Sequence, residues 1–332
     1  MDKANRVSSP FWLALVIGNT RLHWGYFYQE KLLSSWHTPH LADASIERLY
    51  RASFVVSEWQ SLDLGAPDLV TPELKTADWT TAELPSAQTN QKTSAFPQKP
   101  LSVSDIWIAS VVPDQHERWT WAAKNKFASA SPNEEPHTVM RSHIPLSNIY
   151  PTLGIDRAIN LLGAGQLVGW PTVVIDAGTA VTLTAGIEQS PSGGAIYGGA
   201  ILPGLRLQRE ALAQKTGALS QFVSDWKTPK ADTATLPQRW ALDSAGAIAS
   251  GLIYGITATI IDYLNDWWRQ FPAAKAIFTG GDAPYLYECI KQRTPEVGSR
   301  VLLDSDLMFY GMSAYRKECL KPSSLKRAYL PE

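Results

Sequence analysis

VVIDAGTAVTL, residues 173–183, is an apolar run that ends in Asp176, Ala177, Gly178 and Thr179 and then resumes as alternating Val and Thr. That pattern predicts a strand, a tight turn and a returning strand. A carboxylate at the end of a buried strand is costly unless it binds a cation or accepts hydrogen bonds. Gly178 lets backbone amides come close to a ligand, and the Thr179 hydroxyl suits a phosphate. Taken alone, the stretch also fits an ordinary hairpin with a polar turn.

A second copy shifts the balance. LALVIGNTRLHW (13–24) has the same shape, and aligning Gly18 with Gly178 sets Val16 opposite Asp176. Repetition about half a chain apart implies two similar α/β domains, each offering a phosphate-facing turn to one cleft. The copies are not equivalent: the second has a carboxylate where the first has a valine.

Bulk properties agree with two folded domains. The chain has 332 residues, 45% hydrophobic and 18% charged, enough to bury substantial cores. A net charge of −1 argues against a general nucleic-acid binder. The two cysteines, Cys289 and Cys319, lack metal-ligand spacing, which suits reduced thiols in a cytoplasmic protein. Phe11 to Val16 is too short for a signal sequence or a membrane span. The apolar 244–264 region carries Gly246, Gly251 and Gly255 and is interrupted by Ser and Thr, so it reads as a buried helix, not a span. Thirteen tryptophans have no evident role beyond packing.

Along the chain, strands are expected at 11–17, 20–28 and 31–37, a helix at 41–51 and a short strand in SFVVSEW (53–59). Residues 57–104 turn rich in Pro, Thr, Ser and Gln without a period, which predicts an exposed irregular insertion. A strand at 105–113, a helix near 114–127 and a short strand at 137–140 follow. The Pro- and Gly-punctuated 141–154 reads as the junction between domains spanning 11–145 and 146–320. Beyond it come a helix (155–169), the hairpin 173–185, a Gly-rich strand (193–204) and a helix through QREALAQK. After an irregular patch at 220–240, a long helix from Ser244 to about Trp268 starts after Asp243 or Ser244, either of which could cap it. A strand with a Gly turn (275–283), a helix (284–292), a strand (301–303), a helix (307–319) and a tail (321–332) complete the chain. Three strands followed by alternating helices and strands thus occur twice.

Four Gly-containing turns, IGNT (17–20), DAGTA (176–180), Gly198–Gly199 and TGGDA (279–283), are expected to end strands, where open α/β sheets bind ligands. Together they point to a nucleotide in the cleft, although no Walker-type or dinucleotide glycine pattern occurs. Asp156 and Arg157 open the helix after Gly154. Asp156 fits a general base or a helix cap, and Arg157 an anion anchor or a surface charge. His37 and His40 lie near one another without a third metal ligand.

The ordered set IGNTRLHWG (17–25), SVVP (110–113), Tyr150, GIDR (154–157), DAGTAVT (176–182), GGAILPGL (198–205), TGAL (216–219) and TGGDA (279–283) resembles type III pantothenate kinase, of the acetate and sugar kinase, Hsp70 and actin superfamily. The resemblance spans nearly the whole chain apart from 57–104 and 220–240. It implies two RNase H-like domains around a nucleotide cleft and transfer of the γ-phosphoryl group of ATP to pantothenate, the entry step of coenzyme A synthesis. It implies that Asp156 accepts the hydroxyl proton, and that Tyr150, Gly154, Ile155, Asp156, Arg157 and Thr216 line the pantothenate site. It assigns ATP contacts to Val16, Ile17, Gly18, Asn19, Thr20, Arg21, Leu22, His23 and Thr179. It gives Asp176 a monovalent cation, K⁺ or NH₄⁺, with Mg²⁺ arriving on ATP, and it implies a homodimer.

Three positions depart from the family pattern: Val16 replaces the first-motif Asp, His23 a usual Lys, and Thr184 a frequent Asp. Val16 offers no oxygen to Mg²⁺. Two readings therefore stand, an active kinase whose Mg²⁺ is held by ATP, water and Asp176, and a nucleotide-binding relative with little or no kinase activity.

Overall fold

The computed structural model describes residues 9–62, 105–127, 136–190, 193–222, 231 and 234–321. The first half places β1 (Phe11–Ile17), β2 (Leu22–Tyr28), β3 (Lys31–Thr38), β4 (Ile106–Ser110) and β5 (His137–Thr138) in one sheet of order β3-β2-β1-β4-β5. The β1–β2 and β2–β3 pairs are antiparallel, and β1–β4 and β4–β5 are parallel. Helices α1 (Asp43–Arg51), α2 (Val56–Ser61) and α3 (Pro113–Phe127) belong to this half.

The second half repeats the plan. Helix α4 (Ile155–Val168) enters it, followed by β7 (Thr172–Ala177), β8 (Ala180–Ser190), β9 (Gly193–Pro203), α5 (Leu205–Lys215), α6 (Ser244–Gln270), β10 (Lys275–Thr279), α7 (Ala283–Arg293), α8 (Pro295–Gly298), β11 (Val301–Leu303) and α9 (Leu307–Cys319). The sheet order β11-β10-β7-β8-β9 matches the first half strand for strand, with antiparallel β7–β8–β9 and parallel β7–β10–β11. The two-residue strand β6 (Leu146–Ser147) adds to the β9 edge, so the second sheet already begins within the predicted junction. This doubled order is the two-domain RNase H-like plan expected from the sequence. Val16 and Asp176 occupy the same place, the next-to-last residue of β1 and of β7, the middle strand of the five that match.

Three cores hold five layers together. Alternation along β1 sends Leu13, Leu15 and Ile17 to an outer core with α1 and α3, and Trp12, Ala14 and Val16 to a central one. The central core is shared, joining β1 and β4 to α4, α9, Val174 and Ile277. The third core packs β7, β8 and β10 against α6 and α7. The outer core of the first half gathers tryptophans. The Trp24 ring lies 4.8 Å from Trp59 and 5.2 Å from Trp119, edge to face, and 6.2 Å from Trp36, stacked. That cluster accounts for four of the thirteen tryptophans.

Helices α4 and α9 cross at two glycines. A Cβ on Gly311 would run into the Ile159 carbonyl, and one on Gly163 into the Leu307 carbonyl. The same α9 reaches the first half: Arg316, 7% exposed, donates from Nη2 to Asp105 Oδ2 at 2.7 Å and stacks 4.8 Å from the Trp12 ring centre.

Several expectations need correction. The FVV run is not a strand: Ser53 and Phe54 adopt φ of 51° and 56°, and helix α2 follows, bringing the fully buried Trp59 under the sheet. A short apolar run cannot by itself distinguish strand from helix. Positions 57–61 are therefore helical, while 63–104, most of the expected insertion, lie outside the described residues, as do 223–230, 232–233 and the tail 322–332. Gly198 and Gly199 sit inside β9, not at its end. Helix α6 begins with Asp243 as its cap, Oδ1 accepting from the Gly246 amide at 2.8 Å. It is long and apolar enough to cross a membrane, with a mean hydropathy of 1.6, but Leu252, Ile253, Ile256, Ile260 and Leu264 pack into the third core. Only one face is buried; Gly251 and Gly255 face open space.

The glycine crossing sets a testable limit. Gly311→Ala is expected to destabilise the protein by about 1–3 kcal/mol, because the extra methyl forces the α4 and α9 backbones apart. Thermal denaturation monitored by circular dichroism will read this as a lowered midpoint.

Candidate active site

The ends of β7 and β10 meet the start of α4. Asp156 lies in the first turn of α4, and Oδ1 accepts from the Arg157 amide at 2.8 Å. Burial raises its pKa above the ordinary carboxylate range, partly offset by that amide and by the Arg157 charge. Gly154 precedes it because a side chain there would strike the Asp156 carboxylate.

One turn along α4, on the same face, Asn160 donates from Nδ2 to Asp176 Oδ2 at 2.9 Å. Asp176 is partly exposed at the cleft but surrounded by protein atoms. Its pKa is pushed up to about 7, first by desolvation and then by the like charge of Asp156. Two carboxylates therefore oppose each other's ionisation. Two buried oxygens near Asp176 have no partner among the described residues: Asn160 Oδ1, and Oγ1 of Thr279, which pairs with Asp176 across β7 and β10. An oxygen-only donor set of this kind suits a hard cation.

The turn after Asp176 is braced from both sides. The Gly178 amide donates to Ala180 O at 2.9 Å, the Gly204 amide to Thr179 O at 3.0 Å, and the Asp282 amide to Ala177 O at 2.8 Å. Gly280 takes φ 98° and passes so close that a Cβ would lie 2.5 Å from Asp176 Oδ1.

Arg157 is not a surface charge. It is 7% exposed, with Nε donating to Thr184 Oγ1 at 2.9 Å, Nη1 to the Tyr150 hydroxyl at 3.0 Å and Nη2 to Leu183 O at 3.1 Å. Gly199 makes room for it, because a side chain at that position would collide with the guanidinium. Thr184, one of the three departures from the family pattern, supplies the acceptor for Nε. Thr216 ends α5, with Oγ1 donating to Leu212 O at 2.6 Å, and no recorded hydrogen bond joins it to Asp156 or Tyr150.

The first hairpin is built differently. The Gly18 amide donates to Arg21 O at 3.0 Å, leaving Asn19, Thr20 and Arg21 exposed. Ile17 and Leu22 are fully buried in the outer core, so only their backbones are available to a ligand. Val16 is 4% exposed in the central core and pairs with His23 across the strands. The His23 ring lies 6.5 Å from that of His37. Burial, then His37 and Arg21, lower its pKa to about 4, so the imidazole is neutral at pH 7. His40 Nε2 lies 3.2 Å from the Asn19 carbonyl, away from that pair.

The sequence reading gave no individual role to Asn160, Thr279 or Ile201, the last two lying inside the TGGDA and GGAILPGL motifs. Asn160 was legible from its i+4 spacing to Asp156. Ile201 shares a cross-strand row with Thr182 and Asp176, and it is 66% exposed although apolar.

Residues 71–266 match the sequence profile of type III pantothenate kinase. A type III pantothenate kinase from Nostoc sp. is 36% identical over 91% of this chain and 92% of its own. One from Synechocystis sp. is 33% identical over 91% and 89%. Among solved structures, acetate kinase from Porphyromonas gingivalis is similar at 9% identity over 93% of this chain and 99% of its own, with a TM-score of 0.44. The profile and the relatives favour the enzyme over the binding-only reading. The chain belongs to the type III pantothenate kinase family.

Proposed function

We propose that the protein transfers the γ-phosphoryl group of ATP to the hydroxyl of pantothenate, giving 4′-phosphopantothenate, in a cleft between halves spanning 11–145 and 146–320. The observation that carries this reading is the start of α4, where Asp156 stands buried beside Asp176 with its basicity raised. Phosphoryl transfer demands positioning and charge neutralisation more than covalent chemistry. Asp156 accepts the hydroxyl proton as the alcohol attacks. The turns 17–20 and 176–180 offer backbone amides and the Thr20 and Thr179 hydroxyls to the phosphates. Ile201 gives the alcohol's hydrocarbon part an apolar wall.

A divalent metal bound to ATP supplies positive charge at the transferring phosphate. We assign a monovalent cation, K⁺ or NH₄⁺, to Asp176 with the open oxygens of Asn160 and Thr279, which fit such an ion. Arg157 acts mainly by locking α4 to β8, since each of its three nitrogens already donates to protein oxygen. Thr216 belongs to the substrate site by family resemblance. The uncovered face of α6, with Gly251 and Gly255 open and Trp240 and Leu242 84% and 97% exposed just before it, is assigned to a homodimer interface. We place the protein in the cytoplasm, where its two free thiols stay reduced.

Three outcomes test this reading. Asp156→Asn should lower kcat by about 10²–10⁴-fold while nucleotide affinity, measured by titration calorimetry, stays unchanged. Parallel loss of both would instead make Asp156 part of the nucleotide site. Gly255→Arg should convert a dimer to a monomer in sedimentation; an unchanged mass places the interface elsewhere. His23 has a folded pKa near 4 against 6.5 for the unfolded chain. The unfolded state therefore binds the proton first, and the stability from neutral His23 is present above pH 6.5 and lost as pH falls towards 4. Denaturation of the unaltered protein and of His23→Gln across that window should show their stability difference drifting against the unaltered protein as pH falls, and levelling below it.

A further inference from the structure

The cross-strand rows that begin at Val16 and at Asp176 hold equivalent places in the two halves and carry different chemistry. In the second half the row is Asp176, Thr182 and Ile201. In the first it is Val16, His23 and His37. Residues opposed in an antiparallel ladder share one face of the sheet. Both imidazoles therefore stand on the side where Val16 enters the core shared by the two halves. Their ring centres are 6.5 Å apart. His23 is half-buried and His37 exposed.

The His23 ring is also tied to the 17–20 turn, since a Cβ on Gly18 would lie 3.9 Å from His23 Nε2. Two charged or chargeable groups act on that ring: His37 across the ladder and Arg21 on the turn. Both oppose a proton on it. Val16 on β1 and Gly18, Asn19 and Thr20 on the turn carry no charge, and His40 Nε2 lies 3.2 Å from the Asn19 carbonyl. Burial and these neighbours keep His23 neutral at pH 7. A polyphosphate on the turn reverses the balance. Its negative charge favours the imidazolium and offsets the repulsion from Arg21 and His37. A charge-assisted N–H···O bond to phosphate is also about twice as strong as a neutral one.

We propose that His23 takes up a proton when nucleotide phosphates bind at the 17–20 turn, so that the first hairpin supplies this positive charge only with the nucleotide in place. The inference rests on that turn meeting phosphate, as in the function proposed above. Arg21 and His37 hold the proton off until the phosphates arrive. The bound state then holds the proton more tightly than the free one, and nucleotide affinity rises as pH falls.

Titration calorimetry of Mg·ATP without acceptor, repeated in buffers of different ionisation enthalpy, counts the protons exchanged. At about pH 6 the unaltered protein should take up about one proton more per nucleotide than His23→Gln. Its Kd should fall by about 3- to 10-fold for each pH unit below about 7, whereas that of His23→Gln follows only the titration of the phosphates themselves. His37→Gln should keep the uptake and move it to higher pH, because one opposing charge is gone. Equal uptake by the unaltered protein and His23→Gln would overturn the assignment, as would loss of uptake in His37→Gln. Should His23→Gln not fold, NMR titration of the imidazoles in the unaltered protein decides: an upward shift of the His23 pKa on adding Mg·ATP supports the proposal, and an unchanged value refutes it. Binding of Mg·ATP without proton uptake overturns the role of His23 and leaves the proposed kinase function standing. Failure of Mg·ATP to bind at all removes the phosphate turn, and both fall together.

Discussion

The approach of α4 to α9 at Gly163 and Gly311 is the constraint on which the rest of the molecule turns. Side chains normally hold packed helices 8–10 Å apart; with hydrogen at both contact points the backbones touch directly. That brings α4 deep enough to present Asp156 and Asn160 to Asp176 on the neighbouring strand. It also seats α9 against β1 and Trp12, where Arg316 and Asp105 close a nearly buried ion pair. Such a pair adds little net stability compared with hydrophobic side chains but is costly to break. Its consequence is geometric: the last helix and the first strand are held in register across the shared core.

The electrostatics of the cleft follow from what that packing leaves out. Two carboxylates lie close together, and the Arg157 guanidinium is turned to protein acceptors. On the first hairpin, valine and a neutral histidine stand where the family pattern has charge. Around Asp156 and Asp176 the protein thus contributes amides, hydroxyls and negative charge. Burial holds both acids above their usual range, and the charge of Asp156 adds to the shift at Asp176; any cation brought near them would favour the ionised forms.

Much of this was legible in the chain because the signals are local. Strand–Gly–strand patterns fixed both hairpins, and their repetition fixed the doubled sheet, since each rests on neighbours a few residues apart. The GIDR turn and the Asp243 cap were readable for the same reason. Features set by distant contacts were not. The helix at 56–61 arises because Trp59 completes a cluster around Trp24, a residue remote in sequence. Gly198 and Gly199 suggested a turn, whereas Gly199 is small because Arg157, from another element, fills the space. The fork of Arg157 depends on how the 141–154 segment, with Tyr150, lies against α4, and nothing in its composition specifies that path.

The position of α9 in the chain also bears on how the molecule is made. The first half has its own tryptophan-rich core and can consolidate early, as N-terminal units do during synthesis. Helix α4, though encoded midway, lacks its glycine-matched partner until residues 307–319 have been translated. Asp156, Asn160 and Asp176 therefore reach their final packing as a late event in biogenesis, and a nascent chain stalled before that helix would carry both hairpins without it.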